Sequence, residues 1–416
     1  MNNINRIFNS FKILLIGGAA TSILNFLTSS FIIKNFGIDF FGQYTFILAY
    51  FIFLSSVFST QAWQPLVRTL QNDKTRNERD IFLSFYISEL LFSFSGVILA
   101  IFVGNNILHF FNYSGELPDI GILIIIFSQN NAFFGYFRYK NKHKLINIIQ
   151  ILQCSLVFIF IFIFYFTNNT THNSVHDFFI YVFVSYLISY LFSVVLILKM
   201  IKIKKIRKNK IHIKDSFKYC FPFYITILTD SPIRDLIIFI INKYFGSELV
   251  GFYRILTQIG GAYTKLTQPI YQASYSELVS VINNKKEELA KHIIKKIFYI
   301  SFIVLAIISI GLIVSYKYWV SVFFTNQYIN YYIFFTIYII IQVIIGSSVI
   351  INSAFLSIAN GWQMFTCTAT INLFFSILLY ILTLKLQFYG VLMAILIQVI
   401  MNISWKFQFL RKKKII

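Results

Sequence analysis

Lys34-Asn35-Phe36-Gly37-Ile38-Asp39-Phe40-Phe41-Gly42-Gln43-Tyr44 is echoed 209 residues later by Lys243-Tyr244-Phe245-Gly246-Ser247-Glu248-Leu249-Val250-Gly251-Phe252-Tyr253. The shared pattern is K-x-F-G-x-[D/E]-x-x-G-x-Y, and the offset is half of the 416-residue chain. Each copy follows an apolar run and is trailed by a Gln-Pro pair, Gln64-Pro65 and Gln268-Pro269. Taken singly, either copy is a good tight turn, its glycines supplying positive φ. Two copies at half-length spacing favour an internal duplication, and parallel repeats of this kind are a transporter architecture.

The runs around these turns decide the solvent. Hydrophobic residues make up 57% of the chain and charged residues 12%, with a mean hydropathy of +0.72. Soluble domains carry roughly 25% charged residues. A chain of this length folded in water would still need a polar surface, so lipid is the natural solvent. Twelve runs approach the ~20 apolar residues a membrane-crossing helix needs. In the first half they are Ile13–Ile33, Tyr44–Trp63, Ile81–Val103, Ile120–Tyr136, Leu145–Phe166 and Phe178–Leu198. The second half gives Phe217–Ile241, Leu249–Ala273, Ile297–Val314, Tyr332–Ile351, Met364–Leu384 and Phe388–Phe407. The first run is too long for a signal-peptide core and no cleavage pattern follows, so it reads as a retained span.

Charge placement sets the orientation. The net charge of +21 resembles a nucleic-acid signature until its distribution is mapped. With the N-terminus inside, 29 of the 36 Lys and Arg fall on cytoplasmic segments, and the opposite loops carry only Lys34, Lys243, Lys317 and Lys385. This asymmetry is the positive-inside pattern. It predicts cytoplasmic N- and C-termini and no nucleic-acid partner. The loop between the tenth and eleventh runs carries no charge to support its side. The predicted fold is all-α and integral to the membrane, with twelve transmembrane helices in two pseudo-repeated six-helix lobes around a central cavity. The lobes are 1–201 and 215–416, joined by a basic cytoplasmic linker at 202–214. The opposite-side loops are all short, which leaves no outside domain for a catalytic site.

Ionisable residues inside apolar runs cost roughly 2.5–3.5 kcal/mol each on insertion scales and survive where they face protein or water. Leaving aside Lys218 and Lys406 at run ends, which count with the cytoplasmic segments, six occur here: Glu89, Asp230, Arg234, Asp235, Arg254 and Lys265. At about 100° per residue, Gln258, Gly261, Lys265, Gln268 and Gln272 all fall within about 40° of Arg254. Phe252, Ile255, Ile259, Tyr263, Leu266 and Ile270 occupy the opposite side, at about 100° to 180°. The eighth run is therefore cationic along one face, as expected of a cavity wall; the bland alternative is an amphipathic helix whose cations meet buried partners. Asp230 and Arg234 stand at i,i+4 beside Pro232, which suits a kinked gate or, equally, a static kink closed by a charge pair. Glu89 reads either as a functional carboxylate or as a side chain snorkelling to the membrane surface. Asn25 heads a small-residue stripe with Gly18, Thr21, Ser22, Thr28 and Ser29, of the type that mediates close helix packing or lines a cavity. Ser128-Gln129-Asn130-Asn131 suits either the same interior or hydrogen bonds between helices.

Cys154, Cys220 and Cys367 sit in or beside apolar runs and behave as small buried residues. His109, His172 and His176 lack metal spacing, and no catalytic dyad, phosphate loop or zinc signature occurs. No catalytic residue, metal or cofactor is expected.

The opening run, Phe36-Gly37-Ile38-Asp39-Phe40-Phe41-Gly42-Gln43-Tyr44, Gln64-Pro65-Leu66-Val67-Arg68, the second-half echo and the 6 + 6 layout together resemble one family. It is the polysaccharide (O-antigen repeat-unit) flippases of the multidrug/oligosaccharidyl-lipid/polysaccharide exporter superfamily. The resemblance spans essentially the whole chain, and its specificity lies in the order of short motifs. It implies two six-helix lobes in a V, and carriage of undecaprenyl-diphosphate-linked oligosaccharide from the cytoplasmic to the periplasmic leaflet of a bacterial inner membrane. It implies alternating access coupled to protons or sodium, with other polysaccharide assembly proteins as further partners. On that expectation Arg254, Lys265, Arg234, Gln258, Gln268 and Asn25 bind substrate, and Asp230, Asp235 and Glu89 couple the ion. The rival readings are a multidrug antiporter of the same superfamily and an O-antigen polymerase. The first needs an anionic cavity and the second a sizeable outside loop.

Overall fold

The computed structural model describes residues 2–73, 76–140, 142–167, 174–201, 213–229, 231–283, 287–413 and 415. All regular structure among them is helical. The chain opens with α1 (Asn2–Phe36), α2 (Ile38–Val57), α3 (Trp63–Asn72) and α4 (Glu78–Phe110). A 3-10 turn at Ile120–Leu123 leads into α5 (Ile124–Phe127), α6 (Asn131–Tyr139), α7 (His143–Thr167) and α8 (Val175–Met200). Next come α9 (Ile213–Leu228), α10 (Ser231–Phe245), α11 (Ser247–Asn283) and α12 (Glu287–Val314). The last elements are α13 (Tyr316–Phe323), a 3-10 stretch at Asn326–Tyr331, α14 (Tyr332–Ser347), α15 (Val349–Ile358) and α16 (Gly361–Lys412).

Among the described residues, nine helical segments are long and apolar enough to cross a membrane. One of them, α16, is two passes. Gln387 takes φ 53° and ψ −137° at its middle, and Gln398 Nε2 donates to Asn372 Oδ1 at 2.8 Å across the resulting hairpin. The interrupted pair α9–α10 and the polar α11 fall outside the nine, and the architecture is compatible with twelve crossings. The protein is a multi-pass, all-α membrane protein.

Both copies of the sequence repeat fold alike. The Gly37 N–H bonds back to the Ile33 carbonyl at 3.1 Å, and the Gly246 N–H to the Asn242 carbonyl at 3.2 Å. Each glycine then turns the chain through positive φ, 92° and 82°, a conformation a Cβ would disfavour. The next helix starts at once with an acid in its first turn, Asp39 or Glu248, where the helix dipole favours negative charge. The copies also touch. Ser247 Oγ donates to Asp39 Oδ1 at 3.0 Å, and Gly42 lies so close to the Ser247 carbonyl that a Cβ at position 42 would overlap it.

The chain divides into two compact units, Met1–Gly251 and Phe252–Ile416. The linker expected at 202–214 lies outside the described residues up to position 212. The seventh span belongs by packing to the first unit, α9 lying on α4 and α10 on α2. Within the first unit α2 is central: 67% of its most apolar stretch is buried, against 17% for α7. A core of Leu66, Phe82, Phe85, Phe133, Tyr136 and Phe137 fills the space between α3, α4 and α6. The second unit has its own core, including Leu278, Ile294, Ile350, Ala354 and Leu410. Large apolar side chains such as Phe102, Phe166 and Ile307 are exposed, as lipid-facing positions require.

Candidate functional site

Two helix breaks meet inside the first unit. α2 stops at Val57, the chain passes Gln61 in the left-handed region (φ 50°), and α3 restarts at Trp63. α5 stops at Phe127 and α6 restarts at Asn131. Neither break contains glycine or proline; polar side chains make each of them. Ser55 and Ser128 share a hydroxyl–hydroxyl bond of 2.9 Å, and Gln129 Nε2 donates to the Ser55 carbonyl at 2.6 Å. Asn131 Nδ2 donates to Ser59 Oγ at 3.0 Å and to Gln129 Oε1 at 3.2 Å. A broken helix in hydrocarbon is tolerable only when freed backbone groups find partners, and Gln129 is the partner of the Ser55 carbonyl.

Glu89 completes it. Its side chain reaches from α4 to the start of α6, where Oε1 accepts from the Asn131 N–H at 3.2 Å and Oε2 from the Ala132 N–H at 2.9 Å. Those N–H groups are among the orphan donors of a helix N-terminus, and a carboxylate there also meets the positive end of the dipole. Glu89 is only 2% exposed, so it does not snorkel. Ser88 and Ser93, fully buried on the same helix, keep the approach close. The far end of α6 is held by a second glutamate of α4. Glu78 accepts from Lys140 Nζ at 2.6 Å and from the Tyr139 hydroxyl at 3.0 Å. The antiparallel half-helix α6 is thus lashed to α4 at both ends.

At the other end of α4, α10 is latched to the same unit. Asn242 Nδ2 donates to the Phe111 carbonyl at 2.9 Å, and Asn112 Nδ2 returns a bond to the Lys243 carbonyl at 2.8 Å. Lys243 Nζ stands 3.6 Å from the Phe110 ring centroid, a cation–π contact. Phe239 packs on Phe46, Tyr50 and Phe53 of α2.

On α11 the two faces expected from the sequence have different surroundings. Phe252 and Ile255 are 2% exposed and Tyr263 3%, with Phe252 against Tyr328, Tyr331 and Phe388. The Tyr263 hydroxyl bonds Ser309 of α12 at 2.6 Å. Leu266, assigned to the same apolar face, is instead exposed at 53%, as a lipid contact would be. On the opposite face Arg254, Gln258, Gly261 and Lys265 are half-buried and Gln268 is exposed. Asp235 is half-buried at the start of α10, and Asn25 is exposed on α1 while Thr28 and Ser29 of its stripe are buried. Asp230 and the Arg234 side chain lie outside the described residues. The structure therefore brings Glu89 together with Ser128–Asn131 and aligns Arg254 with Lys265. Ser55 and Ser59 escaped notice in the sequence, because lone serines in an apolar run carry no distinguishing pattern. Among the described residues no cluster of three His, Cys, Asp or Glu suits a metal ion.

Broken helices, a buried polar centre and a two-faced cationic helix belong to a multi-span helical fold that solved structures share. The chain is similar to an inward-facing multidrug resistance MATE family transporter of the MOP superfamily, with TM-score 0.71 and 15% identity over 94% of this chain and 95% of that one. It is equally similar to the lipid II flippase MurJ in an inward closed conformation, with TM-score 0.71 and 19% identity over 96% of this chain and 87% of that one. A third likeness is to a MOP superfamily transporter from Pyrococcus furiosus, with TM-score 0.63 and 16% identity over 98% and 95%. What the chain shares with these transporters is the fold. Residues 66–333, more than half of the chain, match the model of a family described as polysaccharide biosynthesis protein, and the chain belongs to that family. None of the curated protein sequences matches it.

Proposed function

We propose that this protein flips undecaprenyl-diphosphate-linked polysaccharide repeat units, of the O-antigen type, across a bacterial inner membrane by alternating access. The termini lie in the cytoplasm, and the lobes 1–201 and 215–416, each carrying one copy of the repeat, are joined by the linker at 202–214. The observation that carries the reading is α11, where Phe252, Ile255 and Tyr263 are packed while Arg254 and Lys265 share a half-buried face. Eleven residues separate them, about 16 Å along the helix. A diphosphate is a strong anion whose desolvation must be offset by charge-assisted hydrogen bonds, which Arg supplies in pairs and Lys as a point charge. Arg254 and Lys265 hold the diphosphate or an acidic sugar, Arg234 joins them in one conformer, and Gln258, Gln268 and Asn25 bond saccharide hydroxyls.

A coupling proton or sodium ion is carried by Asp230, Asp235 or Glu89. For Glu89 the geometry gives the step a physical content: protonation would weaken its hold on the first N–H groups of α6. The family and the likeness to a lipid II flippase support a lipid-linked cargo, and a cationic rather than anionic helix face argues against cationic drugs. Deleting the gene and analysing lipid-linked oligosaccharide by leaflet tests the proposal. A flippase mutant accumulates single repeat units on the cytoplasmic leaflet. Export of single units to the surface would instead mark a polymerase and defeat this reading.

A further inference from the structure

A second cationic site lies within the Phe252–Ile416 unit, lined from α14, α15 and α16. A cavity of about 200 Å³ opens between the α14–α15 junction and the second limb of α16. At one water per ~30 Å³, that is room for a phosphate group and a few waters. Its polar lining is Ser348, Asn352, Asn402 and Lys406, and the described lining contains no Asp or Glu. Lys406 is held in place: its ammonium donates to Asn352 Oδ1 at 2.8 Å and sits 5.7 Å from the Phe355 ring centroid. With the Asn352 oxygen engaged by the ammonium, the amide N–H₂ groups remain as donors beside the lysine charge. The rest of the wall is aliphatic, from Ile345, Val349 and Ile403 among others. A positive charge, amide donors and a hydroxyl between aliphatic walls suit an anion attached to a hydrocarbon.

Depth supports the same ligand. Lys406 stands 19 residues beyond the Gln387 turn, about 28 Å along a helix rising 1.5 Å per residue. The hydrocarbon layer is ~30 Å thick. If Gln387 turns at one membrane surface, Lys406 reaches the headgroups of the other, where Arg411 and Lys412 end α16. We infer that this notch binds the phosphate headgroup of an anionic membrane lipid in the leaflet on the side of the C terminus. It is a resident lipid site distinct from the Arg254–Lys265 face, and it holds the second limb of α16 against α15.

The test is native mass spectrometry of the full-length protein purified from nanodiscs containing phosphatidylglycerol and phosphatidylcholine. The wild type should retain phosphatidylglycerol in preference to phosphatidylcholine. Lys406→Gln should lower that retention about fivefold, the effect of one membrane-proximal charge worth ~1 kcal/mol. Lys406→Arg should keep it, and Arg254→Gln should leave it unchanged, which separates this site from the transport reading. Equal retention by Lys406→Gln and wild type, or equal retention of the two lipids by the wild type, would overturn the inference. Displacement of the lipid by inorganic phosphate would overturn the lipid assignment and point to a soluble anion.

Discussion

Glu89 and Arg254 are both charged residues inside apolar runs, and the structure treats them in opposite ways. Glu89 is enclosed, with both carboxylate oxygens taken by the backbone of α6. Arg254 stands with Lys265 on a half-buried face of a helix whose other side supplies the packing. An enclosed charge whose bonds all run to its own fold maintains a conformation. A charge on an incompletely buried face, such as that of Arg254, is where the proposed function puts the cargo. Sequence alone ranks the two together; their surroundings separate them.

The sharpest way to break this contrast is to remove the enclosed group. Glu89→Ala strands two buried N–H groups at about 1–3 kcal/mol each, so an overall loss of roughly 4 kcal/mol is expected in thermal or denaturant unfolding of the detergent-solubilised protein. Unchanged stability would show that α6 does not depend on the cap. Arg254→Gln should do the reverse, leaving unfolding unaltered while surface polysaccharide falls roughly ten- to hundredfold, the worth of about 1.5–3 kcal/mol in hydrogen bonds to a charged group. Normal polysaccharide in that variant would remove Arg254 from the cargo path. Gly42→Val probes the contact of the two repeat copies. Overpacking against the Ser247 carbonyl should cost about 1–3 kcal/mol, with Gly42→Ala the milder case. The smallest effect is expected at the outer lashing of α6. Glu78 and Lys140 are partly exposed, their side chains 45% and 33% accessible, and Lys140→Ala should change stability by no more than about 1 kcal/mol, falling further in high salt.

Much of this was legible in the order of residues, for stated reasons. Apolar run length reports the membrane directly, so α4, α7, α8 and α12 coincide with runs found by counting. The copies at Gly37 and Gly246 were visible because positive φ restricts the residue type. The helical wheel separated Phe252, Ile255 and Tyr263 from Arg254 and Lys265, because one periodicity governs both burial and charge. It failed at Leu266, since a wheel places a residue on a face but does not say whether protein or lipid covers it. The breaks at 58–62 and 128–130 were not legible. No glycine or proline lies within either stretch, Pro65 standing just after the first, and the bonds that stabilise them join residues 42 to 74 positions apart. Ser128-Gln129-Asn130-Asn131 announced polarity but not its partners. Likewise, the affiliation of α9 and α10 with the first compact unit depends on tertiary contacts such as Phe239 on α2, which the midpoint of a duplication does not encode.

The bond from Ser247 to Asp39 carries a consequence for descent. Each residue belongs to one copy of the repeat, so after duplication the twin turns came to lean on one another and ceased to be free to drift separately. A bulkier residue at position 42 would have to be answered by a shift near 247, in the sister segment 205 positions away. Substitutions in the two segments should therefore be inherited in matched pairs, a signature that divergence elsewhere in the halves would not erase.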